Sequence, residues 1–402
     1  LKSSEWLVAL PAFAIPIGAF EFYVYRNRSQ RLCNSRWIRP PFTPRAGILG
    51  GGALKGKKYE AKRNHHYVWA DYLRRWSNDQ KNIWHTTPTG KVRLDSIKSL
   101  SKQEFFYKAG SLTAEHLEII RQYSSKSPKY MQEQHVRFLQ RFMEIQLLEE
   151  YQATGGNRSE TKKTVHILKC NTLEDQHAYH ERDARAVLSS LAEGDFSTLA
   201  DGNNLLKFLV YFGHQISRTK SFKESYLAIK PRLVSESDEA ARIFKRSEEC
   251  WWFLSYMFGM NIGWSLYSNR SSYQLCLLIN ETQRDFVTSD QPIINVHPDL
   301  VEGAFTPPSD ETCDFLYPIS PKVAFMVNRS DSFPNGVTKI PESFVHDMNQ
   351  RVAKASDISI FGATRVAVED YKSLVGYRKN ATIKHFATYG SGVPSNNQNN
   401  EH

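Results

Sequence analysis

Asn64-His65-His66-Tyr67-Val68-Trp69-Ala70-Asp71-Tyr72-Leu73-Arg74-Arg75-Trp76 divides the chain into an anchor and linker before it and one folded body after it. Taken as a helix, the stretch sets Trp69, Tyr72, Leu73 and Trp76 at i, i+3, i+4 and i+7, a single apolar stripe that faces a core. His65 falls one turn before Trp69 on that stripe, and His66 one position round, over Trp69 and Leu73. Two imidazoles at the start of an inward-facing aromatic helix mark it for function as well as for packing.

Toward the N-terminus, residues 6–25 are a 20-residue apolar stretch with Trp6, Tyr23 and Tyr25 at its ends, the length and belt of a membrane span. Pro11, Pro16 and Glu21 interrupt it, and the competing reading is an extension without a role. Residues 26–63 carry eleven Lys or Arg against one Glu, which accounts for the formal charge of +10 of the 402-residue chain. The body is close to neutral, which argues against a broad basic face for nucleic acid. Basic residues directly after a span place the body on the cytoplasmic side, tethered at the inner membrane. The expected organisation is a membrane-spanning segment over 1–25, a basic Pro/Gly linker over 26–61, one domain over 62–380 and a disordered tail over 381–402. Five scattered cysteines without a C-x-x-C fit neither a disulfide framework nor a zinc ribbon.

Toward the C-terminus, Asn82–Thr87 and Lys91–Leu94 alternate about Pro88-Thr89-Gly90, a hairpin pattern. Thr113 opens a helix, and Ser127-Pro128 opens a longer one that ends at Gly155-Gly156. Residues 157–164 read as a polar loop, with Thr172 and Asp175 forming a capping box for the next helix. Asp201 caps a further helix that ends near Arg218-Thr219. From Tyr273 the period becomes strand-like, and a helix over Glu342–Ala355 and a strand near Ile358–Phe361 come after it. Helices first and strands later predict an α+β fold, mostly helical, with a small and mostly antiparallel sheet in the C-terminal half.

Several segments together resemble one family: His66-Tyr67-Val68 through Tyr72-Leu73-Arg74-Arg75, Phe105-Phe106-Tyr107, Glu181, Phe208 through Arg218-Thr219, Phe286 through Thr288-Ser289-Asp290-Gln291-Pro292, Tyr317 through Pro321, and Asn349. Their order and spacing are similar to the mostly bacterial proteins grouped as domain of unknown function 4238, over about residues 62–365. Trp69-Ala70 departs from the Pro and polar residue often found there. The resemblance implies an architecture and a short list of positions, and no reaction.

Four residues are the expected site: His66, Glu181, Arg218 and Asp290. A carboxylate on a buried stripe is costly unless paired, protonated or bound to a cation, so Glu181 is either an ion-pair partner of Arg218 or Arg74, or a base or metal ligand. His177, His180 and Glu181 at i, i+3 and i+4 have the spacing of a metal-ligand set, in an order that matches no familiar zinc motif. Asp290 is an Asx-turn residue or a carboxylate presented at a strand end. Arg218 complements a helix dipole or holds an anion. A histidine, two carboxylates and an arginine suit hydrolysis of a phosphate ester, and a phosphodiesterase- or nuclease-like hydrolase is the leading expectation. The alternative is a binding or sensing module whose buried polar network is structural, tethered to the membrane or not. The sequence leaves cofactor, metal and oligomeric state open.

Overall fold

Tyr67 and Val68 resist helix, and Trp69 adopts an extended conformation (φ −64°, ψ 124°), so helix α1 covers only Ala70–Arg74. Asn64–His66 is instead strand β1. The two histidines therefore lie on a strand, not on the helical stripe expected for them. Trp69, Tyr72, Leu73 and Trp76 are all buried as that stripe requires. The computed structural model describes residues 60–154, 158–227, 238–300 and 312–381. The anchor over 1–25, nearly all of the linker and the tail from 382 lie outside the described residues. Among the described residues, no helix is long and apolar enough to cross a membrane.

After α1 come the hairpin strands β2 (Asn82–Thr86) and β3 (Val92–Ser96), then β4 (Lys102–Glu104). The helical part is α2 (Ala114–Ser125), α3 (Lys129–Ala153), α4 (Arg158–Ala192), α5 (Gly202–Ser217), α6 (Lys220–Leu227), α7 (Asp238–Glu249) and α8 (Trp251–Ser268). Strands β5 (Gln274–Ile279), β6 (Thr288–Ser289), β7 (Ile294–Asn295), β8 (Phe315–Ser320), β9 (Val323–Asn328) and β10 (Gly336–Lys339) come next. Helix α9 (Glu342–Ala355), β11 (Ile360–Gly362) and α10 (Arg365–Glu369) close the body.

The fold is α+β, with several small sheets where one was expected. Five strands run in the order β10-β5-β9-β8-β7, four in the order β3-β2-β11-β6, and β1 pairs with β4. Pairings are antiparallel except β10 on β5. The helix cap expected at Thr172 is absent, because α4 runs unbroken through it and the Thr172 hydroxyl donates to the Leu168 carbonyl, 2.8 Å away. The polar stretch read as a loop over 157–164 is likewise helical from Arg158. Asp201 does cap α5, its Oδ1 accepting from the amides of Asn203 and Asn204 at 2.8 and 2.9 Å.

Phe208 and Phe212 of α5 pack edge-on against Phe325 of β9, which seats the helix on the five-stranded sheet. On its other side α5 lies against α8, a helix buried on nearly every face. Gly213 of α5 meets Gly259 and Gly263 of α8 backbone to backbone. The three glycines are what allow so close an approach.

Tyr72 pins α1 to both larger sheets. Its hydroxyl donates to the Pro318 carbonyl of β8 at 2.6 Å and shares a 2.6 Å hydrogen bond with Thr288 Oγ1 of β6. The ring stacks on Tyr317 at 5.2 Å. Tyr72→Phe keeps the stack and strips the Pro318 carbonyl of its donor and the Thr288 hydroxyl of its partner, and is expected to cost about 1–3 kcal/mol in urea denaturation with little change in m-value. An unchanged midpoint would show that the hydroxyl does not join the sheets.

Candidate functional site

The C-terminal end of α5 delivers Arg218 into the interior, where it is 3% exposed. Such a charge needs partners, and the guanidinium has two. Nη1 donates to Glu181 Oε1 at 2.7 Å, and Nη2 donates to the backbone carbonyl of His66 at 2.5 Å. Burial works against the charge on Arg218, but Glu181, with Tyr107 and Glu174 nearby, outweighs it and raises the pKa. Burial pushes the Glu181 carboxyl up and Arg218 draws it back. With the arginine permanently charged, the pair is ionic. Of the two readings of Glu181, the structure shows the ion pair with Arg218; Arg74 pairs with Asp71.

His66 lies beside this pair. Burial, with the charges of Arg218 and Lys102, pushes its imidazole down to about 4, so it is neutral at physiological pH. Its Nε2 is buried without a partner. His65 is different. Its Nε2 bonds the Lys62 carbonyl at 3.0 Å and its Nδ1 accepts from the Tyr107 amide at 2.8 Å. Both nitrogens serve the backbone, so His65 is a strut between β1 and the segment that carries Tyr107. Tyr107 in turn donates to the Arg218 carbonyl at 2.9 Å, which fixes the turn after α5.

Glu174 is a member of the site that the sequence reading missed. It stands three residues before His177 and seven before Glu181, on the same α4 face, and that spacing was the available signal. Burial, with Glu181 adding to it and Arg218 opposing, pushes Glu174 up to about 7. Its Oε2 is buried without a partner. His177, His180 and His214 complete the surroundings. His180 stacks on His214 at 4.5 Å and bonds the Tyr256 hydroxyl at 2.9 Å. Neither ring nitrogen of His177 or His214 has a partner. Burial holds all three imidazoles neutral, His180 at about 3. His180 and Glu181 are engaged elsewhere, so the i, i+3, i+4 set does not converge. Among the described residues, no three His, Cys, Asp or Glu side chains are placed to hold a metal ion.

Asp290 belongs to a neighbouring network. Its carboxylate accepts from the backbone amides of Asp357, Ile358 and Ser359 at 2.9, 2.7 and 2.9 Å, and so clamps the segment entering β11. Burial and the adjacent Asp357 push it up to about 6 in spite of those three donors. The Asx-turn and the site carboxylate were the two sequence readings; the geometry is that of a clamp across 67–69 residues. The two networks meet where the Thr219 hydroxyl donates to Gln291 Oε1. Three of the four expected residues, His66, Glu181 and Arg218, are thus brought together, and Asp290 stands one residue pair away.

A model for the family described as protein of unknown function (DUF4238) matches residues 64–365, and the chain belongs to that family. No curated protein and no solved structure matches it.

Proposed function

We propose that this member of the family is a hydrolase of phosphate esters, of the phosphodiesterase or nuclease kind, with its reactive centre at Arg218. The observation that carries the reading is Glu174: a carboxyl group raised to about 7, with an unpartnered oxygen, beside a permanent guanidinium. A group that titrates near neutrality is suited to move protons at working pH, and displaced pKa values concentrate at functional sites. Glu174 in its ionised form takes a proton from the attacking water as the water oxygen bonds to phosphorus. The ester P–O bond breaks, and the same carboxyl returns the proton to the departing alkoxide. Arg218, oriented by Glu181, supplies positive charge to the non-bridging oxygens. His66, held neutral, offers a hydrogen-bonding nitrogen without adding charge.

Bis(p-nitrophenyl) phosphate and a short single-stranded oligonucleotide, each with and without divalent cations, are the first substrates to try. Glu174→Gln is isosteric and is expected to lower turnover roughly 100-fold, the usual worth of a proton-transfer group, while leaving the thermal midpoint near wild type. A folded Glu174→Gln protein with undiminished turnover would end the hydrolase reading.

A second reading, a non-catalytic binding or sensing module, is favoured by a different observation. Arg218 and Asp290 are each 3% exposed, and Asp290 spends its oxygens on backbone amides. Polar networks of that kind fix a fold without doing chemistry. Retained partner or ligand binding in Glu174→Gln, with hydrolysis absent in both proteins, would favour it.

A further inference from the structure

Strand β3 ends the sheet whose order is β3-β2-β11-β6, and among the described residues no strand pairs with its outer edge. The phase of the ladder decides which groups that edge presents. The Thr87 amide donates to the Lys91 carbonyl at 2.8 Å, and the Ile97 amide to the Lys81 carbonyl at 3.0 Å. Antiparallel pairing alternates, so Arg93 and Asp95, opposite His85 and Ile83, share that inward phase. Val92, Leu94 and Ser96 therefore turn their N–H and C=O groups outward. An open edge is a template for a further strand, and proteins usually blunt one with charge, proline or a bulge.

The side chains decide which strand fits. On one face Leu94 lies opposite Trp84, and Trp84 opposite Gly362. Helix α10 covers that face at Gly362, where a Cβ would meet Val368 Cγ2 at 3.0 Å and Ala367 Cβ at 3.5 Å. Leu94 on the edge is left 49% exposed and Val366 on the helix 69%. On the other face Arg93 is exposed, and among the described residues it has no ion partner. Asp95 gives its Oδ2 to His85 Nε2 at 2.9 Å, and its Oδ1 has no partner among them. When a second copy of the strand runs antiparallel about Leu94, Arg93 falls opposite Asp95 twice, Leu94 opposite Leu94 and Val92 opposite Ser96. The adjacent registers, centred on Arg93 or Asp95, set like charges face to face, which is unfavourable. The edge is complementary to itself about Leu94 and not about its neighbours.

We infer that the protein forms a two-fold dimer through β3, in which the four-stranded sheets of two copies join edge to edge about Leu94. Each Leu94 amide donates to the other's carbonyl, and Val92 of each copy exchanges hydrogen bonds with Ser96 of the other. Arg93 of each copy meets the free oxygen of Asp95 on the other. The dimer does not depend on the chemistry at Arg218. Sedimentation velocity on the full chain from about 1 to about 200 µM, the range of small interfaces, is expected to show a monomer–dimer equilibrium. Leu94→Pro removes the outward N–H and leaves the β2–β3 ladder its own donors. It is expected to weaken the dimer at least ~10-fold, because the two-fold axis takes two hydrogen bonds at once. Leu94→Lys, a change at an exposed position, keeps the test open should the proline unfold the hairpin. It sets two ammonium groups face to face and is expected to weaken the dimer by a similar factor, with the thermal midpoint of the dilute protein unchanged. A wild-type chain that stays monomeric throughout overturns the inference. Association that persists unchanged in the folded variants, as self-association through residues 6–25 would, overturns it as well.

Discussion

Gly213→Ala is expected to leave little folded protein. A Cβ at this position would stand 2.6 Å from the Gly263 amide nitrogen and closer still to the Gly259 carbonyl oxygen, and both are backbone atoms of α8. No side-chain rotation relieves the clash, so α5 and α8 must separate. Those two helices make the most extensive packing contact in the body, and α8 is buried on nearly every face. Overpacking a core costs typically about 1–3 kcal/mol and more where backbone must move, so a loss of at least ~3 kcal/mol is the expected result. Gly202→Ala is the control, because its nearest neighbour is the Tyr267 hydroxyl at 3.5 Å. That variant is expected to stay within ~0.5 kcal/mol of wild type. Soluble yield and denaturant midpoint measure both. A Gly213→Ala protein as stable as Gly202→Ala would mean that the helices do not touch as described.

Acidification is the second large effect. His66 and His135 are pushed down to about 4 and His180 to about 3, with His65, His177 and His214 also lowered, in each case chiefly by burial. In the unfolded chain these imidazoles titrate near 6.5, so below that pH the unfolded state binds protons that the folded state refuses. Stability therefore falls as pH drops from 6.5 toward 4. Three carboxyls, Glu174, Asp290 and Glu181, act with the opposite sign. Glu174 at about 7 and Asp290 at about 6 hold protons in the fold that the unfolded chain releases above about 4, so their contribution is largest in acid and fades as pH rises through 6–7. Six histidines against three carboxyls leave a net loss on acidification, at about 1.4 kcal/mol per pH unit for each uncompensated proton. Urea midpoints at pH 7.5, 6.5, 5.5 and 5.0 are expected to decline steeply below 6.5, losing a few kcal/mol by pH 5. A flat profile would mean that the histidines are solvated or already charged.

The sequence spoke most clearly where the physics is local. Asp201 as a cap, the Glu342–Ala355 helix and the β2–β3 hairpin each depend on residues a few positions apart, and each is found. It misled where a local signal is overridden. Thr172 and Asp175 look like a helix start, yet packing continues α4 through them, and the threonine turns its hydroxyl back to a carbonyl one turn earlier. It was silent where the partner is remote. Nothing near Asn64–His66 announces a strand, because the strand exists only by pairing with Lys102–Glu104. The site divides the same way. Glu181 and Arg218 were legible as a buried carboxylate and a helix-end cation, and they meet. Glu174 lay on the same face and was legible by the same rule, but the apolar pattern drew attention to the other end of α4. Asp290 was recognisable as a motif residue and not as a clamp, since the amides it gathers come 67–69 residues later.

The four-stranded sheet carries one more consequence, in the order of synthesis. Strand β2 pairs on one side with its hairpin partner and on the other with β11, whose segment is reached about 272 residues later. A ribosome adding about 5–20 residues each second exposes that inner edge of β2 for tens of seconds before β11 emerges. Any chain that stops short of Ile360 keeps the edge open for good, a template for mispairing with its neighbours. The sheet begun by the β2–β3 hairpin is thus closed only in a chain that extends through β11.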